Sequence, residues 1–272
     1  MNPFDFTYGD GCRIQIGYRT PGLAREGLDE AARVDLAVEL GMPVIEPAVS
    51  AGELCDVDAA KRLKDAADAK DVAIPSVGCL FEVTTPGADV QKSMEEALPI
   101  VHAAGAGWVY SRAKKAPSDV PQAEIWDMVV AGMLAGAKFF QNAGIKYAIE
   151  ADGGNFIHTL ERQVKLIKLV NHPNFYPNFD PMNLYISGSD PLEAIDVFGA
   201  EIQSMHIKDG IYRGKNIQEV PVGEGELDYP AIFSAIMEKR LSVRMFIEHC
   251  KQPDQVRKAA EHISGVVTDI MG

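Results

Sequence analysis

Short runs rich in β-branched and aromatic residues alternate with longer stretches of helical spacing from one end of the sequence to the other, and few folds tolerate that alternation. The residues predict strands over 13–18, 43–47, 73–78, 107–110, 146–150, 175–180, 202–207 and 243–248. Helices are predicted over 28–40, 58–70, 89–104, 122–143, 159–170, 191–198, 229–239 and 253–270. In the last of these, Val256, Ala259, Ala260, Ile263 and Val267 recur at three- and four-residue steps, the stripe that a helix needs to lie on a sheet. Gly41, Gly105 and Gly144 close helices and turn the chain into the next strand. Eight such units in 272 residues fit an α/β fold of the (β/α)8 type better than an open doubly wound sheet. No glycine-rich fingerprint follows the first strand, which removes the main sign of a dinucleotide fold. No linker or charge block interrupts the pattern, so the expectation is one TIM barrel domain over 1–272.

With 47% hydrophobic and 24% charged residues, the chain has the means to bury a large core. Its formal charge of −13 disfavours a nucleic-acid or anionic-membrane partner, because contacts to phosphate draw on Lys and Arg. No stretch approaches the roughly 20 apolar residues that cross a bilayer. The first residues, MNPFDF, lack the basic and apolar regions of a signal peptide, and the expected location is the cytoplasm. Cys12, Cys55, Cys79 and Cys250 are scattered without CxxC spacing and read as reduced thiols.

Catalytic groups in such a barrel stand at the C-terminal ends of its strands. The fifth predicted strand closes on Glu150, the sixth on Asp180, the seventh on His206 through Asp209 and the eighth on Glu248. Four consecutive strands thus end in metal-ligand residue types, whereas the third ends near Cys79 and the fourth near Ser111. Alternation places Lys146 and Ala148 on the face of Glu150, Ile202 and Ser204 below His206, and Arg244 and Phe246 below Glu248. Three carboxylates gathered with one imidazole would repel each other unless a cation neutralised them. Oxygen-rich ligation with a single nitrogen suits one Mn²⁺, Mg²⁺ or Co²⁺, with Zn²⁺ a further candidate. The rival reading is a buried salt-bridge cluster closed by Lys208 and Arg213.

At these residues the sequence resembles the sugar phosphate isomerase/epimerase family of xylose isomerase-like TIM barrels, which includes ketose 3-epimerases, hydroxypyruvate isomerases and inosose dehydratases. The likeness is carried by Phe179-Asp180-Pro181-Met182-Asn183, by His206-Ile207-Lys208-Asp209, and by the segment from Val222 through Gly223, Glu224, Gly225 and Glu226 to Tyr229. It implies a metal held by Glu150, Asp180, His206 and Glu248, with the two glutamates also serving as acid and base. The chain departs from the ketose 3-epimerases where their substrate-contacting His follows the sixth-strand Asp. Asn183 stands there instead, and Arg213 is the nearest counterpart of their Arg after the seventh-strand His. Homo-oligomers are common in the family.

The resulting expectation is a divalent-metal-dependent isomerase or epimerase acting on a small sugar or polyol-derived carbonyl compound. Glu150 and Glu248 would pass a proton through a cis-enediolate, with Lys208 stabilising an oxyanion. Lys208 would otherwise pair with Asp209. Glu46, Asn183 and Arg213 are the candidate substrate contacts, Glu46 being also readable as an ordinary strand-end carboxylate. His249 should face away from Glu248 by strand alternation. His102, His158, His172 and His262 read as structural or exposed, and Trp108 and Tyr110 as core packing or a wall for a sugar ring. A dehydratase of the inosose or dehydroshikimate type would use the same site. A multi-zinc endonuclease reading finds neither the additional strand-end histidines nor a basic groove, and a non-catalytic sugar-binding barrel would have no use for both glutamates.

Overall fold

The computed structural model describes residues 2–213 and 216–272. It opens with a hairpin in which β1 (Asp5–Tyr8) runs antiparallel to the first half of β2 (Cys12–Arg19). Helices α1 (Pro21–Arg25) and α2 (Glu30–Leu40) lead to the short β3 (Ile45–Glu46), then α3 (Val57–Asp68), β4 (Ser76–Gly78) and α4 (Val90–Ala103). The middle of the chain follows as β5 (Trp108–Arg112), α5 (Gln122–Asn142), β6 (Lys146–Glu150), α6 (Leu160–Val170) and β7 (Phe175–Asn178). After α7 (Pro181–Ile186) and α8 (Pro191–Phe198) comes β8 (Ser204–Ile207), and then a second hairpin, β9 (Asp209–Arg213) and β10 (Asn216–Val220). The chain ends with α9 (Tyr229–Glu238), β11 (Val243–Ile247) and α10 (Pro253–Met271).

Eight of these strands form a closed parallel ring. Ladders join β8 to β11, β11 to β2 and β2 to β3 on one arc, and β4 through β7 on the other. The arcs meet through the bridges Ala48 to Gly78 and Phe179 to Met205, each backed by main-chain hydrogen bonds such as Val49 N to Gly78 O (2.9 Å) and His206 N to Phe179 O (2.9 Å). β1 covers the lower edge of β2, which the two-residue β3 leaves free.

The (β/α)8 expectation therefore stands, with differences that have physical causes. The helix predicted from residue 28 begins at Glu30, because the Asp29 side chain accepts from Ala32 N and caps it. The strand predicted to reach Asp180 stops at Asn178. Asp180 instead caps α7, a helix the periodicity did not resolve, and Pro181 takes its first position. The β9–β10 hairpin is likewise an element that the sequence pattern does not predict.

Apolar side chains fill two compartments. The larger lies between barrel and helices and includes Ile14, Ile16, Met205, Ile207, Met245 and Ile247 of the strands together with Val256, Ala259, Ala260 and Ile263 of α10. The smaller lies inside the barrel, where Trp108, Tyr110 and Ala148 pack with Tyr176. Lys146 closes it from below, its ammonium 4.6 Å from the Trp108 ring centre and 3.0 Å from Gln203 Oε1. No described helix is long and apolar enough to cross a membrane.

Candidate metal centre and its cleft

The C-terminal ends of β6, β8 and β11, with the cap of α7, converge above the Trp108–Tyr110 layer. Glu150, Asp180, His206 and Glu248 are all buried there, and one potential ligand atom from each lies within 4.8 Å of the others. Each side chain is fixed by its neighbours. Asp180 Oδ1 accepts from Asn183 N at 2.8 Å as the helix cap. Its Oδ2 is turned to the cluster without hydrogen-bonding geometry to any donor, Lys208 Nζ standing 2.8 Å off. Glu150 receives Asn178 Nδ2 on one oxygen (3.0 Å) and Asn183 Nδ2 on the other (2.9 Å). His206 sets Nε2 against Glu46 Oε1 at 2.9 Å, which leaves Nδ1 facing Glu150 Oε2 (2.8 Å) and Glu248 Oε2 (3.5 Å).

Two cations complete the cluster. Lys208 reaches Glu248 Oε1 at 2.7 Å as well as Asp180, and Arg19 bridges Glu46 Oε1 (2.9 Å) and Glu248 Oε2 (2.7 Å). The salt-bridge component of the sequence reading is thus present, but Arg19 takes the place given to Arg213. Arg213 is exposed at the far end of β9, beside the undescribed residues 214 and 215, and lines none of the cavities at the mouth. Its place at the exposed end of the hairpin, outside these cavities, gives the expected substrate contact no support.

Glu46 needs a second correction. It is fully buried and accepts from Arg19, Ser76 Oγ and His206 Nε2, so its oxygens are engaged inside the protein rather than offered to a sugar hydroxyl. Asn183 lies in the wall of a cavity, but its amide is turned to Glu150. His249 does not face away from Glu248. Its φ of 63° puts it in the left-handed region, where the alternation of a strand no longer holds. Its ring therefore turns into the mouth, Nε2 lying 3.2 Å from Glu248 Oε1 and Nδ1 2.9 Å from Glu219 Oε1 of β10.

A cleft of about 310 Å³ opens directly onto Glu248, with Arg19, Tyr110, Arg112 and His249 in its walls. Glu150 lies deeper and lines none of the mouth cavities. The β9–β10 hairpin and the segment after it arch over one side, and Asp209 ties them down. Its carboxylate accepts main-chain N–H groups from Gly210 (2.9 Å), Gly223 (3.0 Å), Gly225 (3.1 Å) and Leu227 (3.4 Å). A Cβ on residue 225 would stand 1.9 Å from Asp209 Oδ1, so only glycine lets the backbone approach. Gly225→Ala and Asp209→Ala are each expected to cost about 2–3 kcal/mol. Both should speed amide hydrogen exchange across residues 222–227, and slow exchange there in either variant would contradict the anchoring role.

Residues 34–265 match the model of the xylose isomerase-like TIM barrel family. The chain belongs to this family. Solved structures with the same fold include a probable 3-DHS dehydratase, AsbF, from Bacillus anthracis (17% identity over 94% of this chain and 98% of that one, TM-score 0.75). A 3-keto-D-glucoside 4-epimerase, YcjR, from E. coli matches with 14% identity over 94% and 99% of the two chains and a TM-score of 0.76. The IOLI protein with a bound zinc atom gives 15% identity, 94% and 96% coverage and a TM-score of 0.75. No curated protein matches the sequence.

Within this family barrel, the charge of the cluster tests its fitness for an ion. Glu46, Glu150, Asp180 and Glu248 oppose Arg19 and Lys208, so with a neutral imidazole two negative charges are left over, the number a divalent cation supplies. Where no ion is bound, protons would offset that excess in part. Burial works against the His206 imidazolium, but Glu150, Glu46 and Glu248 outweigh it and raise its pKa to about 10. Burial lifts the Asp180 carboxyl to about 6 against the pull of Lys208. Burial also opposes the Glu150 carboxylate, which His206 and then Lys208 nonetheless hold down at about 2. Three oxygen donors and one imidazole nitrogen backed by a carboxylate fit a divalent ion.

Proposed function

We propose that this chain is a divalent-metal-dependent isomerase or epimerase that moves a proton between carbons of a small polyhydroxy carbonyl compound. The observation that carries the reading is the buried quartet of Glu150, Asp180, His206 and Glu248 at the foot of a cleft of monosaccharide size. Those four residues would hold the ion, and a bound Mn²⁺, Mg²⁺, Co²⁺ or Zn²⁺ would supply the positive charge that acidifies a C–H next to a carbonyl.

The proton itself is the business of the side chains. Glu248 opens to the cleft and is held ionised well below the usual carboxylate range, because Lys208, His206 and Arg19 outweigh the effect of burial. It takes the proton, and Glu150 serves as its counterpart across the site. Lys208, positively charged between Asp180 and Glu248, faces the negative charge that develops on the enediolate oxygen. Asn178 and Asn183 keep the Glu150 carboxylate oriented. Lys208 also favours a second reading. An ammonium beside the base can protonate a departing β-hydroxyl, which would make the reaction a dehydration.

Incubation of the Mn²⁺-loaded protein with ketoses and with inososes in deuterated water separates the outcomes by NMR. Deuterium at carbon without loss of water supports the isomerase or epimerase, loss of water supports the dehydratase, and neither overturns both. Metal loading is a further expected result. Ligation requires neutral His206, whose raised pKa of about 10 keeps it protonated at pH 7 in the ion-free protein. Calorimetric titration with Mn²⁺ in buffers of different ionisation enthalpy should therefore give about one ion per chain and about one proton released. Affinity should rise with pH until it passes the His206 value. A titration with no binding would end the metal-dependent reading.

A further inference from the structure

We propose that the substrate carries an anionic group, carboxylate or phosphate, received at the rim of the cleft by Arg25 and Lys251. This deepens the preceding reading and rests on it. The chain as a whole carries −13, yet the walls of the cleft bring together Arg19, Arg25, Arg112 and Lys251 against Glu219 and Glu248. The inner bases are spoken for. Arg19 is paired with Glu46 and Glu248, and Arg112 with Asp152. Glu219 is engaged by His249 at 2.9 Å. Arg25 and Lys251 stand outside these pairs, with no carboxylate within 4.0 Å of either among the described residues. Since a divalent ion balances the four carboxylates of Glu46, Glu150, Asp180 and Glu248 together with Arg19 and Lys208, no excess negative charge is left for the rim.

The two rim cations are placed by the backbone. Arg25 ends α1 and Lys251 follows β11, and the two segments touch at Gly22, where a Cβ would stand 2.0 Å from Cys250 O. The Arg25 stem lies against Gly52, whose missing side chain leaves it room. Two unpaired cations facing one small cleft form a focused positive field in a protein that otherwise repels anions. Arg25 adds a fork that matches either oxyanion. A cleft of about 310 Å³ is at the small end of ligand sites, which sets the ligand at one sugar acid or sugar phosphate.

The test uses three non-reactive probes of one carbon skeleton: ribitol, ribonate and ribitol 5-phosphate. Calorimetry with the Mn²⁺-loaded and the ion-free protein is expected to show at least one anionic probe bound about tenfold or more tighter than ribitol in both states, equivalent to about 1.4 kcal/mol. The preferred probe then names carboxylate or phosphate. In Arg25→Met/Lys251→Met the advantage should fall below about threefold, with the thermal midpoint unchanged because both side chains are exposed. Ribitol binding as tightly as both anions would overturn the proposal. So would a preference that survives the double variant, or one seen only with Mn²⁺ present, which would place the anion on the ion. Because the probes lack a carbonyl, failure of the proton-transfer reading appears separately, as absent deuterium uptake with the anion preference intact.

Discussion

Glu248→Gln is expected to cut deuterium exchange at carbon by about 10³-fold while the chain stays folded, the loss that follows removal of a positioned general base. The fold should survive because each cation that Glu248 holds keeps another partner. Lys208 retains Asp180 at 2.8 Å, and Arg19 retains Glu46 at 2.9 Å. Glu150→Gln is expected to lose as much activity through a different disturbance. Both Glu150 oxygens accept from side-chain amides, Asn178 at 3.0 Å and Asn183 at 2.9 Å. A glutamine there must turn its own NH₂ toward one of those donors, so the orientation is lost along with the charge. Exchange rate, Mn²⁺ stoichiometry and thermal midpoint together separate the effects. A variant that binds one ion and keeps its rate within tenfold of the parent would remove that glutamate from the proton-transfer pair.

Much of this site was legible because strand ends and parity are encoded locally. Glu150 and Glu248 each follow a run whose alternate residues, Ala148 and Phe246, are buried on the same face. The register sets Phe246 opposite His206 and Glu150 opposite Asn178, as that parity requires. What escaped the sequence reading depends on departures from alternation or on long-range partners. His249 adopts a left-handed backbone conformation that no neighbouring residue announces, and so it joins Glu248 at the mouth. Arg19 ends the first barrel strand and looks like any strand-end base until ring closure brings Glu46 and Glu248 to either side of it. The Lys208-Asp209 dipeptide divides its labour across the strand end. Lys208 enters the cluster while Asp209 turns outward to hold the glycines of the following segment, which explains why those two motifs belong together.

Glu46 carries the largest expected effect on stability. Its carboxylate is fully buried, and it neutralises Arg19 while accepting the Nε2 proton of His206 and the hydroxyl of Ser76. Glu46→Ala leaves the buried His206 imidazole without its Nε2 acceptor and the part-buried Arg19 with Glu248 alone, which costs about 3–5 kcal/mol. For a chain of this size the thermal midpoint should fall by roughly 6–20 °C, at about 2–4 °C per kcal/mol. Glu46→Gln keeps the shape but offers an NH₂ to one of two donors, so it should recover only part of the loss. The decisive comparison is the double variant Arg19→Leu/Glu46→Leu. If the stability of Glu46 comes from pairing with Arg19, removing both costs less than the sum of the two single changes. If instead the costs add, the pair contributes nothing jointly and Glu46 acts through His206. In that case NMR of the His206 ring nitrogens in Glu46→Gln should show the Nε2 proton lost from its fixed position, because no carboxylate would hold that tautomer with Nδ1 turned to the cluster.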